Sequence, residues 1–597
     1  MATTVETSRA SATVDQPAGL PSGPGRIEGL LRYAVPVATG LVVLGLVLRF
    51  LIASELWLDE SLSVNIARLP LHRIPGALRQ DGAPPLYYVL LHYWMLVFGE
   101  GNFAVRALSG VASVATLPVA WVAGKRIGGR RLAWATLLLL ATSPFAVGYA
   151  TSARMYSLMI LWTLLGFIAV ARAIEAPSTS RLACVAVITA LELYSHYWGI
   201  YIVAITGLWL LIQAKAHLRL RRPGPVPVWA APEPASPGQA AAEDQPPPDE
   251  TSMPGLETFS PGPESYSLEP ETSSLLPEPG QPGQTGAVIA GRQQAAWSCF
   301  VAMLIGCLAF LPWLPSFAFQ MLHTGTPWSN AAGLGDILSV LGQYAGGGPW
   351  GAALGLSLFT LVLLGVFGES INGRQVLLNL SARRKARPIA FVFMGTLMLA
   401  VLCGAVAQAA FVGRYTAVVF PLFILLAGLG VTAFADRRVM AVVLCWTSLS
   451  GLIVGLGSNL TARTEAGRVA ALINSQASAN DVVVYCPDQL GPAAARLITA
   501  RVQQLTFPRG DRPERINWVD YRQAIHDVNV EQFARTVVAQ AAGKDIYFVS
   551  NPSYPGTEHK CSQLLDWFGA IRSNGQTLVQ ANPGRYYEFE SVIRYPH

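Results

Sequence analysis

The sequence predicts an all-α bundle that crosses a membrane about eleven times, followed by a smaller α/β domain. Hydrophobic residues make up 52% of the 597 residues and charged residues only 13%, whereas a soluble domain carries roughly 25% charged residues. Long uncharged segments recur up to residue 458, and the remaining residues are polar with alternating strand and helix patterns. A soluble protein of this composition could not cover its surface, so that class is excluded.

Each predicted span is an apolar segment near the roughly 20 residues that a helix needs to cross a bilayer. The predicted spans are centred on residues 34–53, 107–124, 132–149, 156–174, 182–196, 198–214, 296–317, 350–368, 388–408, 417–435 and 439–458. A further apolar segment, residues 84–99, is short for a span. We therefore expect it to form an interfacial or re-entrant helix on the outer face.

The orientation follows from the positions of lysine and arginine. Alternate connections carry these cations, within residues 125–131, 172–181, 374–387 and 437–438, and the connections between them carry few. Because cytosolic loops are enriched in lysine and arginine, these connections are predicted to be inside. The amino terminus is then cytosolic, and an odd number of spans places the carboxyl terminus outside the plasma or inner membrane.

The spans divide the chain into regions. Residues 1–32 are rich in Ser, Thr, Pro and Gly and read as a disordered cytosolic tail, not a cleaved signal peptide. Residues 33–458 form the transmembrane module, in which residues 54–105 make an unusually long first external loop. Residues 218–292 are proline-rich and acidic and are predicted to be a disordered cytosolic linker, either a spacer or a partner-binding segment.

Residues 459–597 are predicted to form the extracytoplasmic α/β domain, with a mostly parallel sheet. Strands are expected at residues 481–486 and 545–550, and helices at residues 491–500, 529–543 and 559–575. This region lacks the GxGxxG pattern, so nothing in it favours a nucleotide site. Its two cysteines, Cys486 and Cys561, would face an oxidising compartment, where a disulfide is possible.

Acidic residues of the first external loop are the candidates for chemistry. Asp59 and Glu60 directly follow the first span, where they could act as a general base and as a partner for sugar hydroxyls. The alternative is a solvated pair of interfacial acids. Asp81 lies further along the same loop and is either a binding group or a turn residue before the Pro84–Pro85 helix start.

Cations recur at the predicted outer ends of spans. Arg106, Arg154 and Arg414 lie at such positions, and ionisable groups at membrane depth cost roughly 2.5–3.5 kcal/mol on insertion scales. They are either ligands for an anionic substrate or side chains that reach outward to lipid phosphates. Three ring-bearing residues near the same ends complete the candidate binding set, namely Tyr156, His196 and Tyr415.

Taken together, these motifs resemble a known family. They are WLDE after the first span, DGAPPLYYVLLHYW, RALS from Arg106, SARMYSL, YSHYWG and FVGRY. The combination is similar to the GT-C glycosyltransferases, and more narrowly to the group with bacterial protein O-mannosyltransferases and the lipid A aminoarabinose transferase. The resemblance covers residues 34–458 and is strongest over residues 54–156.

The resemblance implies an acid of the first external loop, Asp59 with Glu60 beside it, that activates the acceptor. It also implies a polyprenyl-phosphate sugar as donor, with arginines near the outer face binding its phosphate. A single displacement with one base inverts the anomeric centre. The expected sugar is mannose, with arabinofuranose second, and the acceptor is a cell-envelope glycan, glycolipid or protein. No cofactor, metal or nucleic acid is expected.

Two other functions use the same features differently. A flippase or transporter of lipid-linked sugars could share the bundle and its arginines, although a transporter is expected to show internal repeats and broken helices near the midplane. A non-catalytic envelope assembly protein could instead use the α/β domain to bind a partner. Covalent sugar transfer by the purified protein distinguishes the enzyme from both.

Overall fold

The computed structural model describes residues 33–220, 282–325, 332–371, 375–407 and 411–597. The predicted cytosolic tail, residues 1–32, lies outside these described residues, as does most of the predicted linker, residues 218–292. Helices before the linker are α1 (Ala34–Leu48), α2 (Leu58–Ala67), α3 (Ile74–Asp81), α4 (Leu86–Phe98), α5 (Asn102–Ala141), α6 (Pro144–Ala150), α7 (Tyr156–Glu175), α8 (Thr179–Ser195) and α9 (Gly199–Leu220).

The second half of the bundle follows the linker. Its helices are α10 (Pro282–Leu308), α11 (Leu314–His323), α12 (Leu334–Ala345), α13 (Gly348–Phe367), α14 (Arg387–Val406), α15 (Phe420–Val431) and α16 (Arg437–Leu460). A short antiparallel hairpin, β1 (Gly368–Ile371) with β2 (Gln375–Leu378), separates α13 from α14.

Six segments of the described chain are long and apolar enough to cross a membrane. They are α5, α7, α13, α14, α16 and residues 291–323, which contain most of α10 together with α11. Shorter apolar helices are α1, α4, α15 and the described part of α9. The fold is therefore mostly helical as predicted, but the helix lengths do not establish the predicted count of eleven spans.

Helix α5 covers the predicted span 107–124 and the first part of the predicted span 132–149. Its 40 residues would measure about 60 Å, twice the hydrocarbon thickness of a bilayer. The backbone departs from helical geometry at Gly128 and Gly129, and Gly129 has a φ of +72°, which glycine adopts without steric cost. The helix therefore divides near the predicted connection between spans 107–124 and 132–149.

Helix α4 occupies the predicted interfacial segment. Its 13 residues extend about 20 Å, which is too short to cross the hydrocarbon core of about 30 Å. Its carboxyl end exposes three consecutive apolar side chains, Leu96, Val97 and Phe98.

The tail after α16 contains a five-stranded sheet with helices packed on it. Its elements are α17 (Ala466–Gln476), β3 (Val482–Cys486), α18 (Gly491–Ala495), β4 (Gln503–Thr506), α19 (Tyr521–Asp527), α20 (Val530–Gln540), β5 (Ile546–Ser550), α21 (Lys560–Ile571), β6 (Gln576–Val579) and β7 (Ser591–Tyr595). Alternate side chains of β3 enter different hydrophobic clusters: Val483 and Tyr485 join the cluster of α17 and α18, while Val482 and Val484 join that of α20 and α21.

The sheet is mixed, which corrects the prediction of a mostly parallel one. Its strand order is β4–β3–β5–β7–β6. Strand β3 pairs in parallel with β4 and β5, whereas β7 pairs antiparallel with β5 and β6. Strands β4, β6 and β7 were not predicted from the sequence. Every residue of β3 and β5 is buried, which gives these two strands continuous apolar segments, whereas β4, β6 and β7 are only partly buried and contain polar residues. A disulfide joins Cys486, at the end of β3, to Cys561 in α21.

One of the two hydrophobic clusters of the tail also includes the first external loop. Leu58 and Leu62 of α2 belong to the same hydrophobic cluster as β3, β5, α20 and α21. These leucines are four residues apart and therefore share one face of α2. The residues that follow the predicted boundary at 459 thus pack directly against the helix that carries Asp59 and Glu60.

Candidate active site

Helix α2 presents the two candidate acids at its first turn. Trp57 is extended immediately before the helix, with φ of −83° and ψ of 175°, and Asp59 and Glu60 follow in the first turn. Acids at this position interact favourably with the positive end of the helix dipole. The carboxylate of Glu588, from the tail, accepts a hydrogen bond from the Leu58 N–H at 3.3 Å and thereby caps the helix.

Glu60 and Arg106 form a buried ion pair. Arg106 Nε and Nη2 donate to the two Glu60 oxygens at 2.9 and 2.6 Å, and the Ala153 N–H donates to the same carboxylate at 2.9 Å. Arg106 also donates to the carbonyls of Ser54 and Glu55. Burial alone would raise the pKa of Glu60. The ion pair with Arg106, the charge of Arg463 and the hydrogen bond from the Ala153 N–H together hold this pKa below its usual range. The pair joins α2 to α5, and this geometry favours positioning over a direct role in chemistry.

Asp59 points elsewhere and faces Arg414. Its carboxylate lies 3.6 Å from Arg414 Nη2, and the two side chains are 15% and 17% exposed. Arg414 stands at the start of a short 3-10 helix, residues 413–418. Its guanidinium lies 5.8 Å from the ring centres of both Trp57 and Tyr415. This ion pair is therefore looser than the Glu60–Arg106 pair and retains access to solvent.

Arg154 approaches Asp59 from the loop between α6 and α7. Its Nη1 donates to the Asp59 carbonyl at 3.3 Å, to Ser63 Oγ at 3.1 Å and to the Tyr88 hydroxyl at 3.4 Å. Tyr88 in turn donates to Asp81 at 3.0 Å. Burial raises the pKa of Asp81, and Arg154 and Tyr88 offset only part of that effect. Asp81 is thus connected to the site through Tyr88.

The predicted ring-bearing residues pack together beside Arg414. The His196 ring lies 4.7 Å from Tyr415 and 6.1 Å from Tyr156, measured between ring centres. His196 Nδ1 accepts a hydrogen bond from the Trp198 N–H at 3.2 Å. One ring nitrogen of His196 is therefore already occupied by a hydrogen bond within the protein.

Several polar atoms around Asp59 are buried without a hydrogen-bond partner in the described part of the chain. They are Trp57 Nε1, Asp59 Oδ2, Arg154 Nε, Tyr156 OH and Arg414 Nε. A buried polar group without a partner costs about 1–3 kcal/mol, so their convergence is typical of a ligand site. Two of these atoms are guanidinium donors, Arg154 Nε and Arg414 Nε, which favours a ligand with acceptor oxygens such as a phosphate.

Sequence inspection assigned no role to Trp57, Ser63, Tyr88 or Glu588. Trp57 lies in the WLDE motif and Tyr88 in the DGAPPLYYVLLHYW motif. Their closeness in the sequence to Asp59 and Asp81 could have marked them as site residues. Glu588 is 530 residues from the amide that it caps, and no local pattern marks it. Within the described residues, no group of three or more His, Cys, Asp or Glu side chains suits a metal ion; the expectation of a metal-free reaction stays a prediction.

Part of the sequence matches a known family, and the fold is similar to that of a solved structure. Residues 82–230 match the family described as dolichyl-phosphate-mannose-protein mannosyltransferase. The fold is similar to the crystal structure of ArnT from Cupriavidus metallidurans in the apo state, with a TM-score of 0.53 and 12% identity over 95% of this chain and 98% of that chain. A comparison with curated protein sequences finds no match.

Two further structures are more distant. ArnT from Cupriavidus metallidurans bound to undecaprenyl phosphate gives a TM-score of 0.48 at 13% identity, over 95% of this chain and 98% of that chain. The Archaeoglobus fulgidus oligosaccharyltransferase complex with Zn and sulfate gives 0.43 at 10% identity, over 86% of this chain and 68% of that chain. The similarity of fold rests on the apo ArnT structure. Together with the family match, this similarity confirms the predicted resemblance to the GT-C glycosyltransferases of the O-mannosyltransferase and ArnT group.

Proposed function

We propose that this protein transfers a sugar from a polyprenyl-phosphate donor to an acceptor hydroxyl at the outer face of the plasma or inner membrane. The observation that carries the proposal is the convergence of Asp59, Arg154 and Arg414, each with a buried polar atom that lacks a partner in the described structure. The name of the family matched by residues 82–230 supports a lipid-phosphate donor and favours mannose as the sugar. Arabinofuranose is the second candidate.

The arginines suit the leaving group of this reaction. A polyprenyl-phosphate sugar carries a phosphodiester, and the phosphate gains negative charge as its bond to the sugar breaks. Arg154 and Arg414 would supply fixed positive charge at that oxygen in a partly buried site, where such stabilisation is strongest. Their charge also removes the need for a divalent metal, and the reaction uses no redox or group-carrying cofactor.

Asp59 would act as the general base. The acceptor oxygen forms a bond to the anomeric carbon, its proton passes to the Asp59 carboxylate, and the bond from carbon to the phosphate oxygen breaks with its electrons leaving on the phosphate. A base must lie within about 3 Å of the proton that it removes, and of the two adjacent acids of α2, Asp59 is the one whose carboxylate is not held in a bidentate ion pair. This single displacement inverts the anomeric centre.

The positions of lysine and arginine support the proposed orientation, with a cytosolic amino terminus and the tail outside. In that orientation, Asp59 and the tail both lie on the outer face. A lipid-linked donor displayed in the outer leaflet would reach the site without leaving the membrane. The acceptor would be a glycan, glycolipid or protein of the cell envelope.

The test uses purified protein in nanodiscs with polyprenyl-phosphate [³H]mannose and, separately, the arabinofuranosyl donor. We expect label to appear in a membrane-glycan acceptor fraction with the wild type, and Asp59→Asn to lower the transfer rate about 10²–10⁴-fold while donor binding persists. A matched control is Glu100→Gln, because Glu100 is an exposed acid of the same loop paired with Arg68. Movement of intact donor across a vesicle without covalent transfer would overturn the proposal in favour of a flippase.

A further inference from the structure

Two aromatic rings from distant parts of the chain meet beside Asp59. The Trp57 and Tyr587 ring centres are 5.7 Å apart, and the ring planes are nearly perpendicular at 83°. Trp57 immediately precedes α2, two residues before Asp59. Tyr587 comes from the tail, and its side chain is 75% exposed. The rings of Tyr586 and Phe589, on either side of it in the chain, are only partly exposed.

The segment that carries Tyr587 is fixed to α2 by the next residue. The Glu588 carboxylate accepts the Leu58 N–H at 3.3 Å. The Glu588 N–H donates to the Arg463 carbonyl at 2.9 Å, and the Glu588 carbonyl accepts the Glu465 N–H at 2.9 Å. These bonds hold both the side chain and the backbone of Glu588, so the position of Tyr587 beside Trp57 is set by the fold.

Trp57 also offers an unused donor. Its Nε1 atom is buried and has no hydrogen-bond partner among the described residues. The same ring lies 5.8 Å from the guanidinium of Arg414, which in turn pairs with Asp59. The aromatic pair is therefore continuous with the group proposed to accept the proton.

We propose that the acceptor is a carbohydrate whose ring packs on the Trp57–Tyr587 pair while one of its hydroxyls reaches Asp59. This inference rests on the proposed function and names its acceptor class. A sugar ring presents weakly positive C–H groups on its faces and hydroxyls around its edge. The face of an aromatic ring is negative and attracts such C–H groups, while the Trp57 N–H can donate to a hydroxyl oxygen and the Asp59 carboxylate can accept from a hydroxyl.

The same contacts suit a peptide acceptor less well. Peptides are commonly bound through their backbone, for example by adding a strand to an open sheet edge. At the aromatic pair, both backbone hydrogen-bonding groups of Glu588 already have partners in Arg463 and Glu465. An added strand could therefore not pair through Glu588 without displacing one of these bonds.

The experiment compares Tyr587→Ala with Tyr587→Phe, which keeps the ring, and with Tyr586→Ala, a matched control at the preceding position. The probes are mannotriose and an arabinofuranosyl trisaccharide as acceptors, and a Ser/Thr-rich peptide as the alternative. We expect Tyr587→Ala to raise the acceptor KM about 2- to 12-fold, the range that an aromatic contact supports. The donor KM and the melting temperature should stay near those of the wild type, and the other two variants should behave like the wild type.

A binding measurement separates this inference from the proposed function. Saturation-transfer NMR with the trisaccharides on Asp59→Asn protein needs no turnover, and its signal should fall when Tyr587→Ala is added. If the wild type transfers no sugar but this ring-dependent binding is present, the proposed function fails and the carbohydrate site stands. An unchanged acceptor KM and binding signal in Tyr587→Ala, binding of neither trisaccharide, or use of the peptide in their place would overturn the carbohydrate assignment.

Discussion

The two adjacent acids of α2 should respond in opposite ways when their charge is removed. Asp59→Asn and Glu60→Gln both keep the size of the side chain and one carbonyl oxygen, so each removes the charge and its basicity with little change in packing. We expect Asp59→Asn to lose turnover and keep its stability. We expect Glu60→Gln to lose stability, with turnover of the fraction that remains folded reduced less.

The stability difference follows from the burial of each pair. Glu60 is 0% exposed, and Arg106 donates two hydrogen bonds to it, at 2.9 and 2.6 Å. Neutralising one member of such a pair leaves the other charge buried, which typically costs about 3–5 kcal/mol. Asp59 is 15% exposed and lies 3.6 Å from Arg414, beyond hydrogen-bond distance. Because the two side chains make no hydrogen bond to each other, loss of this pair should cost less than loss of the hydrogen-bonded Glu60–Arg106 pair.

The catalytic difference follows from the proposed role of Asp59. Asparagine cannot take a proton from the acceptor hydroxyl, and a general base contributes about 10²–10⁴-fold to the rate. This factor corresponds to about 3–5 kcal/mol in the activation barrier. Donor affinity should change little, because the arginines that face the phosphate remain.

The assay measures single-turnover transfer from radiolabelled donor together with the unfolding free energy in denaturant. Glu100→Gln serves as the control, since its partner Arg68 is exposed and neither quantity should change. The reasoning is refuted if Glu60→Gln is as stable as the wild type and loses more turnover than Asp59→Asn. In that case Glu60 is the base, and its pair with Arg106 must open during the reaction.

Three more predictions concern orientation, pH and the tail. In a background without the free cysteines, Ser339→Cys should react with an impermeant thiol reagent added outside and Ser180→Cys should not; both positions are exposed, and reversed labelling contradicts the proposed orientation. Burial raises the pKa of Glu588 from 4.5 to about 8, with Asp59 and Glu60 adding to the effect, so its stabilising contribution is full below pH 4.5 and is lost as the pH rises through 8. Glu588→Gln should therefore flatten the fall in unfolding free energy between these pH values, and an unchanged pH slope would show that Glu588 is not responsible. The Cys486–Cys561 disulfide spans 75 residues, and replacing both cysteines with alanine should lower the unfolding free energy of the tail by about 2–4 kcal/mol. A reductant that leaves the stability of the wild type unchanged would contradict this prediction.

Sequence periodicity and charge identified most of the helices and the regions that form the site. The cations within residues 125–131 indicated a connection, and α5 breaks at Gly128 and Gly129. Motifs at the predicted outer ends of spans supplied Asp59, Arg154 and Arg414, which the fold brings together. Such patterns can be read from a sequence because membrane insertion requires long apolar segments, among which charged residues are rare; the roles of the three residues stay predictions.

The different environments of Asp59 and Glu60 could not be predicted in the same way. Consecutive residues of a helix point about 100° apart, so one carboxylate can face a cleft while its neighbour enters the core. Which of them does so depends on where Arg106 and Arg414 lie in three dimensions. Residue type and spacing along the chain do not contain that information.

The contribution of the tail has a physical origin in the shortness of α2. A 10-residue helix is marginal on its own in water, so its position depends on the elements around it. Leu58 and Leu62 bury one face against the tail, Glu588 caps the first turn, and Arg106 binds Glu60 from α5. The orientation of Asp59 toward Arg414 is therefore a property of the bundle and the tail together. For this reason the proposed sugar-transfer site and the proposed carbohydrate site share one structural support.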